Sequence, residues 1–160
     1  MQNLLAAADK VAALLIARHE TIVVAESSTG GLISAALLSV PGASAFFLGS
    51  AVIYTRASRT ALLGIPEEAM QGLRPSTEAY ALLLARTARE KLSASWALAE
   101  SGAAGPSGNR YGDSAGHACL AIAGAEERAI TLETGSTDRA ANMRAFAAAG
   151  LELVRARLQA

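Results

Sequence analysis

The most constraining feature of the sequence is an apolar run that leads directly into a turn of hydroxyl and glycine residues. Residues 21–25, Thr-Ile-Val-Val-Ala, are rich in β-branched side chains, which predicts a strand buried on both faces of a parallel sheet. Residues 26–31, Glu-Ser-Ser-Thr-Gly-Gly, follow, and the apolar segment 32–38 then predicts a helix. This order directs backbone N–H groups and hydroxyls to one point beyond the strand. Residues 26–31, the serine turn, therefore predict a site for an anion, an oxyanion or a nucleophilic hydroxyl.

The rest of the chain alternates between strand and helix patterns, as α/β proteins do. The predicted strands cover residues 21–26, 50–55, 95–99, 117–122 and 128–132, and the apolar middle of 50–55 predicts a strand covered on both faces. The predicted helices cover residues 3–18, 29–39, 57–63, 75–92 (capped by Ser76) and 137–158, with helical turns at 43–48 and 67–70. The short connection 124–127 predicts that the last two strands form an antiparallel hairpin. Together these patterns predict a three-layer α/β/α sandwich around a five-stranded mixed, mostly parallel sheet.

Length and charge limit the class of protein. The 160 residues fit one domain, residues 1–160. No apolar run approaches the ~20 residues that a membrane span requires, and no basic secretory signal opens the chain, so we expect a cytoplasmic protein. Fourteen basic and fourteen acidic side chains balance, which argues against nucleic acid or an anionic membrane as partner. The single cysteine, Cys119, excludes an intrachain disulfide, and its apolar neighbours predict that it is buried.

A second glycine-rich loop follows another predicted strand. Residues 100–108, Glu-Ser-Gly-Ala-Ala-Gly-Pro-Ser-Gly, should lie at the same sheet edge as the serine turn. Taken alone, the serine turn could be no more than a helix cap. The polar segment 102–114 could be a flexible connection outside the core. Together they favour a ligand site. Neither matches a Walker A or a Gly-x-Gly-x-x-Gly pattern, and two histidines offer no metal cluster, so we expect no dinucleotide, cofactor or metal.

A serine nucleophile also needs a group that accepts its proton. His117 opens a predicted strand and is interpreted as structural. Lys10 and Lys91 lie on predicted helices, where exposed positions are expected. The residues alone therefore offer a nucleophile without a convincing base.

Several segments resemble one known family. Residues 25–31, Ala-Glu-Ser-Ser-Thr-Gly-Gly, resemble the Ala-Glu-Ser-Cys-Thr-Gly-Gly motif of the CinA C-terminal domain family. Residues 41–47, 52–55, 62–65 and 101–108 are similar to further family segments in the same order. The family is named for competence/damage-inducible protein CinA, and its active members are nicotinamide mononucleotide deamidases. The chain resembles the stand-alone deamidase domain.

The resemblance implies a fold, a reaction and a set of site residues. It implies an α/β/α sandwich that hydrolyses the carboxamide of a small nucleotide-like substrate to a carboxylate and ammonia, in pyridine nucleotide salvage, without a metal. Whether the protein forms a small homo-oligomer is left open. The implied catalytic residues are Ser27 as nucleophile, Thr29, Tyr54 and position 59. The sequence leaves open whether the hydroxyl of Ser28 or Thr29, rather than that of Ser27, is the reactive one. The implied substrate-binding residues are Ser28, Gly30, Gly31, Arg56, Gly102, Ala103 and Gly105. Backbone N–H groups of residues 29–31 and 102–105 are expected to hold the oxyanion or the phosphate.

One position departs from the family pattern. The family's proposed general base is a lysine five residues after a tyrosine, and alignment on Tyr54 places Arg59 there. Lysine can lose its proton when desolvated, whereas a guanidinium stays charged. Losing a general base typically costs about 10²–10⁴ in rate. Two main alternatives therefore stand: an amidohydrolase, or a non-catalytic member that binds a nucleotide or another anion through Arg56 and Arg59. An assembly protein with alanine-rich contact surfaces is a third.

Overall fold

The fold is built on one five-stranded sheet, seen in a computed structural model that describes residues 2–160. The strands are β1 (Ile22–Glu26), β2 (Phe47–Val52), β3 (Trp96–Ala103), β4 (His117–Ala123) and β5 (Arg128–Glu133). They lie in the order β2-β1-β3-β4-β5. β1 is parallel to β2 and β3, and β4 is antiparallel to β3 and β5. The predicted mixed, mostly parallel sheet and its terminal hairpin are confirmed.

Helices cover both faces of this sheet. They are α1 (Gln2–Arg18), α2 (Leu32–Leu38), α3 (Arg56–Ser58), α4 (Glu78–Leu92) and α5 (Arg139–Leu158). A π-helical turn (Arg59–Leu63) continues α3, and 3₁₀ turns form at Ala43–Ala45 and Glu67–Met70. The apolar sides of α1, α2 and α5 share one core with the sheet, and α4 shares another on the opposite face. The three-layer prediction is confirmed. None of the described helices has the length and apolar character to span a bilayer.

The second strand differs from its prediction in position and in environment. It begins at Phe47 rather than at residue 50, because the Ile22 N–H already donates to the Phe46 carbonyl at 2.8 Å. Gly49, at φ 143°, sits where the register shifts by one residue. β2 is an edge strand whose alternate residues are exposed, so the prediction of a doubly covered strand at 50–55 is wrong.

The third strand is longer than predicted. It continues past residue 99 to Ala103, because residues 100–103 pair with β4. The two backbones can approach only because residue 102 is glycine: a Cβ on Gly102 would lie 2.5 Å from the His117 carbonyl oxygen. The prediction that residues 102–114 lie outside the core is therefore wrong at its start, where Ala103 and Ala104 are buried.

Two helices begin three residues later than predicted. α2 begins at Leu32 rather than at residue 29, because Gly30 and Gly31 have φ of 62° and 100°, which a right-handed helix cannot accommodate. α4 is capped by Thr77, whose hydroxyl accepts the Tyr80 N–H at 3.2 Å. The prediction of Ser76 as the cap is wrong, because its N–H donates to the Ser101 hydroxyl at 3.1 Å and ties this segment to β3.

Candidate functional site

Two buried carboxyl groups underlie the serine turn. Glu26 ends β1 and Glu100 lies in the neighbouring β3, and both side chains are fully buried. Each lies two residues beyond a core residue, Val24 or Leu98, that packs with α2 and α5. Since alternate strand residues point to the same face, both carboxyl groups project beneath α2. We refer to Glu26 and Glu100 as the carboxyl pair.

Glu100 fixes the first half of the turn. Its Oε2 accepts the backbone N–H groups of Ser27 and Thr29, each at 3.0 Å. Its Oε1 lies in hydrogen-bond contact with the Ser28 hydroxyl. Burial raises the pKa of Glu100, although these hydrogen bonds oppose the shift. Three consecutive residues of the turn are thus tied to one side chain.

Glu26 ties the turn to the start of α2. It accepts the N–H groups of Ile33 at 3.3 Å and Ser34 at 3.1 Å, and also the Ser34 hydroxyl. The Thr29 hydroxyl lies 2.6 Å from Glu26 Oε2 and 3.0 Å from Glu100 Oε2, so it bridges the carboxyl pair. Thr29 itself is fully buried. It therefore lies below the turn rather than on its open side.

The turn leaves one hydroxyl free. Ser28 and Thr29 both use their hydroxyls on the carboxyl pair. The Ser27 hydroxyl makes no hydrogen bond to any residue between 2 and 160, and Ser27 lines an open cleft. Of the three hydroxyls that the sequence left as alternatives, only that of Ser27 is without a hydrogen-bond partner among residues 2–160.

That cleft is strongly basic. It has a volume of about 860 Å³, and its lining includes four arginines: Arg56, Arg59, Arg74 and Arg110. Two of them are paired, Arg59 with Glu67 and Arg74 with Asp113, each at 2.7 Å. Within residues 2–160, Arg56 and Arg110 have no carboxylate partner. This arginine cleft therefore carries an excess of positive charge that suits an anionic ligand.

Arg59 occupies the position that the resemblance gives to a lysine. Its side chain is buried, with only its Nη2 bonded to Glu67, and its buried Nε has no partner among the described atoms. It also lies near Tyr80: burial raises the pKa of that phenol, and the Arg59 guanidinium opposes the shift. A guanidinium in this position can hold an anion but cannot accept a proton.

The far wall of the cleft is a loop that is held in place rather than free. Arg74 donates to both carboxylate oxygens of Asp113, at 2.7 and 3.1 Å, and holds the pKa of that carboxyl below its usual range. The Asn109 amide also donates to Asp113 at 2.8 Å. The Tyr111 ring centre lies 5.3 Å from the Arg74 guanidinium carbon and 5.2 Å from that of Arg110. The flexible connection expected here is thus an anchored wall with an aromatic face.

His117 lies outside this cleft, as a structural residue would. Its Nε2 lies 2.9 Å from the Ser76 carbonyl, and its Nδ1 contacts the Glu133 carboxylate. Burial opposes the charged imidazolium, but these two contacts and nearby Asp113 outweigh it and raise the pKa of His117. Cys119 is buried beside it, as predicted. Residues 2–160 contain no cluster of three or more histidine, cysteine, aspartate or glutamate side chains that could hold a metal ion.

The predicted site residues divide into three groups. Those that line the arginine cleft are Ser27, Tyr54, Arg56, Arg59 and Gly102. Those that line an adjoining hollow of about 250 Å³ are Ser28, Ala103 and Gly105, and this hollow shares Tyr54 and Gly102 with the cleft. Thr29, Gly30 and Gly31 line neither. The N–H groups of Thr29 and Gly30 already donate to Glu100 and to the Ser27 carbonyl, so the expectation that they bind an oxyanion is corrected.

Sequence reasoning missed several residues of the site. They are Glu67, Arg74, Glu100, Arg110, Tyr111 and Arg139. Arg139 lines the hollow and donates to the Gly105 carbonyl and, at 3.3 Å, to the Tyr54 hydroxyl. Two signals were present in the sequence. A glutamate at the end of a buried strand needs partners, and an arginine–tyrosine pair between glycines 108 and 112 is unusual in a mere connection.

Known proteins resemble this chain in sequence and in fold. The model of the CinA C-terminal domain family matches residues 5–158. A CinA-like protein of Prochlorococcus marinus (strain MIT 9313) is 42% identical over 111 residues, which are 69% of this chain and 26% of that protein. The crystal structure of competence/damage inducible protein CihA from Agrobacterium tumefaciens superposes with a TM-score of 0.90 at 26% identity, covering 99% of this chain and 96% of that one. The crystal structure of a competence or damage-inducible protein from Enterobacter asburiae superposes with a TM-score of 0.90 at 26% identity. The superposition covers 97% of this chain and 98% of that one.

These comparisons differ in how much of the relative they cover. The chain spans about a quarter of the length of the first curated relatives it matches, and nearly all of the two solved structures. The fold and the family model agree over almost the whole chain. The chain belongs to the CinA C-terminal domain family.

Proposed function

We propose that the arginine cleft is the active site of an amidohydrolase that acts on a nicotinamide nucleotide, as a nicotinamide mononucleotide deamidase does. The observation that carries this proposal is the Ser27 hydroxyl, which is free of hydrogen bonds at the edge of a basic cleft. Family membership supports it.

The chemistry follows from the position of Ser27. Its oxygen adds to the carboxamide carbon, the C–N bond breaks, and the nitrogen leaves as ammonia with the serine proton. Water then hydrolyses the acyl ester, which releases the carboxylate and restores the serine. The net reaction consumes one water for each amide.

The cleft also suits the charged end of such a substrate. A phosphate monoester carries close to two negative charges at neutral pH. Arg56 and Arg110 are the two cleft arginines without a carboxylate partner in residues 2–160, so their charge matches that of one phosphate. Tyr111 adds an aromatic face in the same wall, against which a planar ring can stack.

The proton acceptor distinguishes this chain from the family pattern. Arg59 cannot accept the Ser27 proton. Glu67 is the one carboxylate among the described residues that line the cleft, and it is ion-paired with Arg59 at 2.7 Å. We infer that Glu67 takes the proton, or that the reaction runs without a base at a rate about 10²–10⁴ lower.

Ammonia release from nicotinamide mononucleotide tests the proposal. We expect turnover by the unaltered protein, none above background by Ser27→Ala, and a faster rate for Arg59→Lys, which restores an amine at position 59. A Glu67→Gln variant slower than the unaltered protein would identify the base. The absence of ammonia with both the unaltered protein and Arg59→Lys would exclude deamidation.

A second function is favoured by the buried, ion-paired state of Arg59. In this alternative the domain binds a phosphate-bearing ligand without transforming it. Calorimetric titration with nicotinamide mononucleotide and with inorganic phosphate separates the two. Saturable nucleotide binding, lost in Arg56→Met and accompanied by no ammonia from the protein or from Arg59→Lys, would establish the binding function.

A further inference from the structure

We propose that Glu100 is held as a neutral carboxylic acid beside an ionised Glu26, and that this protonated side chain is the positioning residue of the serine turn. Its catalytic meaning rests on the function proposed above, in which Ser27 is the nucleophile. The protonation state itself is a property of the folded chain and needs no substrate.

The first argument is a count of protons. The Thr29 hydroxyl carries one hydrogen, yet it lies 2.6 Å from Glu26 Oε2 and 3.0 Å from Glu100 Oε2. If both carboxyl groups were ionised, one of these contacts would set an oxygen lone pair against a carboxylate oxygen. One additional proton on the carboxyl pair weakens that repulsion, because the Thr29 oxygen then faces an oxygen of a neutral acid instead of a second carboxylate.

The hydrogen-bond partners indicate which group carries the proton. Each oxygen of Glu26 faces two donors, so neither keeps a lone pair for a hydrogen. Oε1 accepts the N–H and the hydroxyl of Ser34, and Oε2 accepts the Ile33 N–H and the Thr29 hydroxyl. Its contact with Thr29, at 2.6 Å, has the length of a hydroxyl donating to a carboxylate. Glu26 is therefore the ionised member.

Only one oxygen of Glu100, Oε1, can bear the proton. Its Oε2 accepts two N–H groups, but the one hydrogen-bond partner of its Oε1 is the Ser28 hydroxyl, which can accept as well as donate. A proton on Oε1 thus donates to Ser28. Burial, which raises the pKa of Glu100, acts in the same direction.

No positive charge compensates a second anion here. Apart from Glu26 itself, the turn and α2, residues 27–38, contain no ionisable side chain. On α5, Arg139 is bonded to the Gly105 carbonyl and to Tyr54, and Asp138 caps its own helix. On β4, His117 contacts Ser76 and Glu133. Two adjacent buried carboxylates without a cation would repel each other strongly, which favours protonation of one.

The neutral acid explains how the turn keeps Ser27 available. Glu100 accepts the N–H groups of Ser27 and Thr29 and occupies the Ser28 hydroxyl, so the Ser27 hydroxyl has no partner inside the fold. Ionisation of Glu100 would place two like charges across Thr29 and loosen this arrangement. Glu100 thereby sets the geometry of a nucleophile that it contacts only through the backbone.

A matched pair of amide substitutions tests the assignment. Glutamine copies a neutral acid, because its carbonyl can replace Oε2 of Glu100 and its NH₂ can donate to Ser28. At position 26 the same NH₂ would face a backbone N–H in either orientation. We expect Glu100→Gln to keep the midpoint of thermal unfolding (Tm) within about 2 °C, and Glu26→Gln to lower it by roughly 4 °C or more. Equal decreases in the Tm of the two variants would overturn the assignment.

Carbon-13 NMR of glutamate side-chain carboxyls gives a direct readout. In the unaltered protein at about pH 7 we expect one resonance at the shift of a carboxylic acid, absent from Glu100→Gln. A spectrum with only carboxylate shifts overturns the proposal even if Glu26→Gln does not fold. Because neither measurement involves turnover, failure of the deamidase proposal would appear separately, as absent ammonia with the acid resonance still present.

Discussion

The serine turn and the arginine cleft lie side by side but are built on opposite principles. In the turn, the hydroxyls of Ser28 and Thr29 and the N–H groups around them are satisfied by the carboxyl pair inside the fold. In the cleft, Arg56 and Arg110 lack carboxylate partners among residues 2–160, and the buried Arg59 Nε is unsatisfied. The turn is a fixed scaffold, whereas the cleft retains polar groups for a ligand.

This difference separates stability from function. A saturated, buried network loses much when one member is removed, because the remaining groups cannot reach water. Charged groups lining an open cleft can be hydrated, so their removal costs little stability and much ligand affinity. Substitutions in the two regions should therefore have distinct signatures.

The largest effect is expected at Thr29, the bridge of the carboxyl pair. Thr29→Val keeps the shape of the side chain but removes the hydroxyl, which should destabilise the fold by about 2–3 kcal/mol. That corresponds to a fall in Tm of roughly 4–12 °C, measured by calorimetry. Thr87→Val is the control, since the Thr87 hydroxyl bonds only to the Leu83 carbonyl of its own helix. Equal losses in the two variants would mean that the bridge has no special role.

Arg59 should show the opposite signature. Arg59→Met replaces a buried charge by an apolar side chain of similar length. Its partner Glu67 is 58% exposed and can be hydrated when left alone, so the substitution should cost little stability. Loss of a charge-assisted contact should weaken nucleotide binding by about tenfold, or 1.4 kcal/mol. Titration calorimetry measures this, with Arg86→Met, on the outer surface of α4, as control. Unchanged affinity would place Arg59 outside the ligand site.

Asp113 gives a pH-dependent test of the far wall. Because Arg74 lowers the pKa of Asp113 in the fold, the pair stabilises the protein above the ordinary carboxyl pKa, about 3.9, and that stabilisation is lost as the pH falls through the folded-state value. Asp113→Asn should cost about 1 kcal/mol at neutral pH. The difference from the unaltered protein should vanish on acidification. A difference in Tm that stays constant from neutral to acid pH would contradict this account.

The smallest effect is expected at Tyr111. Its ring lies against the guanidinium groups of Arg74 and Arg110. Exposed cation–π contacts contribute about 0.5–1 kcal/mol. Because the Tyr111 ring holds the guanidinium of Arg110, which we propose binds the phosphate, Tyr111→Leu should weaken nucleotide binding roughly two- to fivefold. Tyr111→Phe, which keeps the ring, serves as the control. If the phenylalanine variant loses as much affinity, the hydroxyl rather than the ring makes the contact.

Local patterns predicted the architecture well. The β-branched run at 21–25, the hairpin connection at 124–127 and the long helical periodicities are all encoded by near neighbours. Each of these elements formed, with only the starts of the helices displaced. The errors occur where distant pairing decides. β2 starts at Phe47 because this residue pairs with β1, and β3 extends to Ala103 because its last residues pair with β4.

The site was predictable only in part, for a similar reason. The family resemblance led to Ser27, Tyr54 and Arg56, which do line the cleft. The carboxyl pair could not be derived that way, because the role of Glu100 depends on its hydrogen bond with Thr29. Thr29 lies 71 positions earlier in the chain, and the sheet brings the two residues together. Likewise, Arg74 and Tyr111 come together only through the folded loop.

The same long-range contacts bear on when the site comes into being. The bonds from the turn to Glu100 join residues 71 to 73 positions apart, and β1 finds one of its two neighbours only in β3. Contacts across such long loops form late, since closing the loop costs entropy before any contact repays it. A nascent chain that ends before residue 100 carries Ser27 and Glu26 on an unsupported turn. The appearance of ligand binding during refolding would therefore mark the end of folding rather than its beginning.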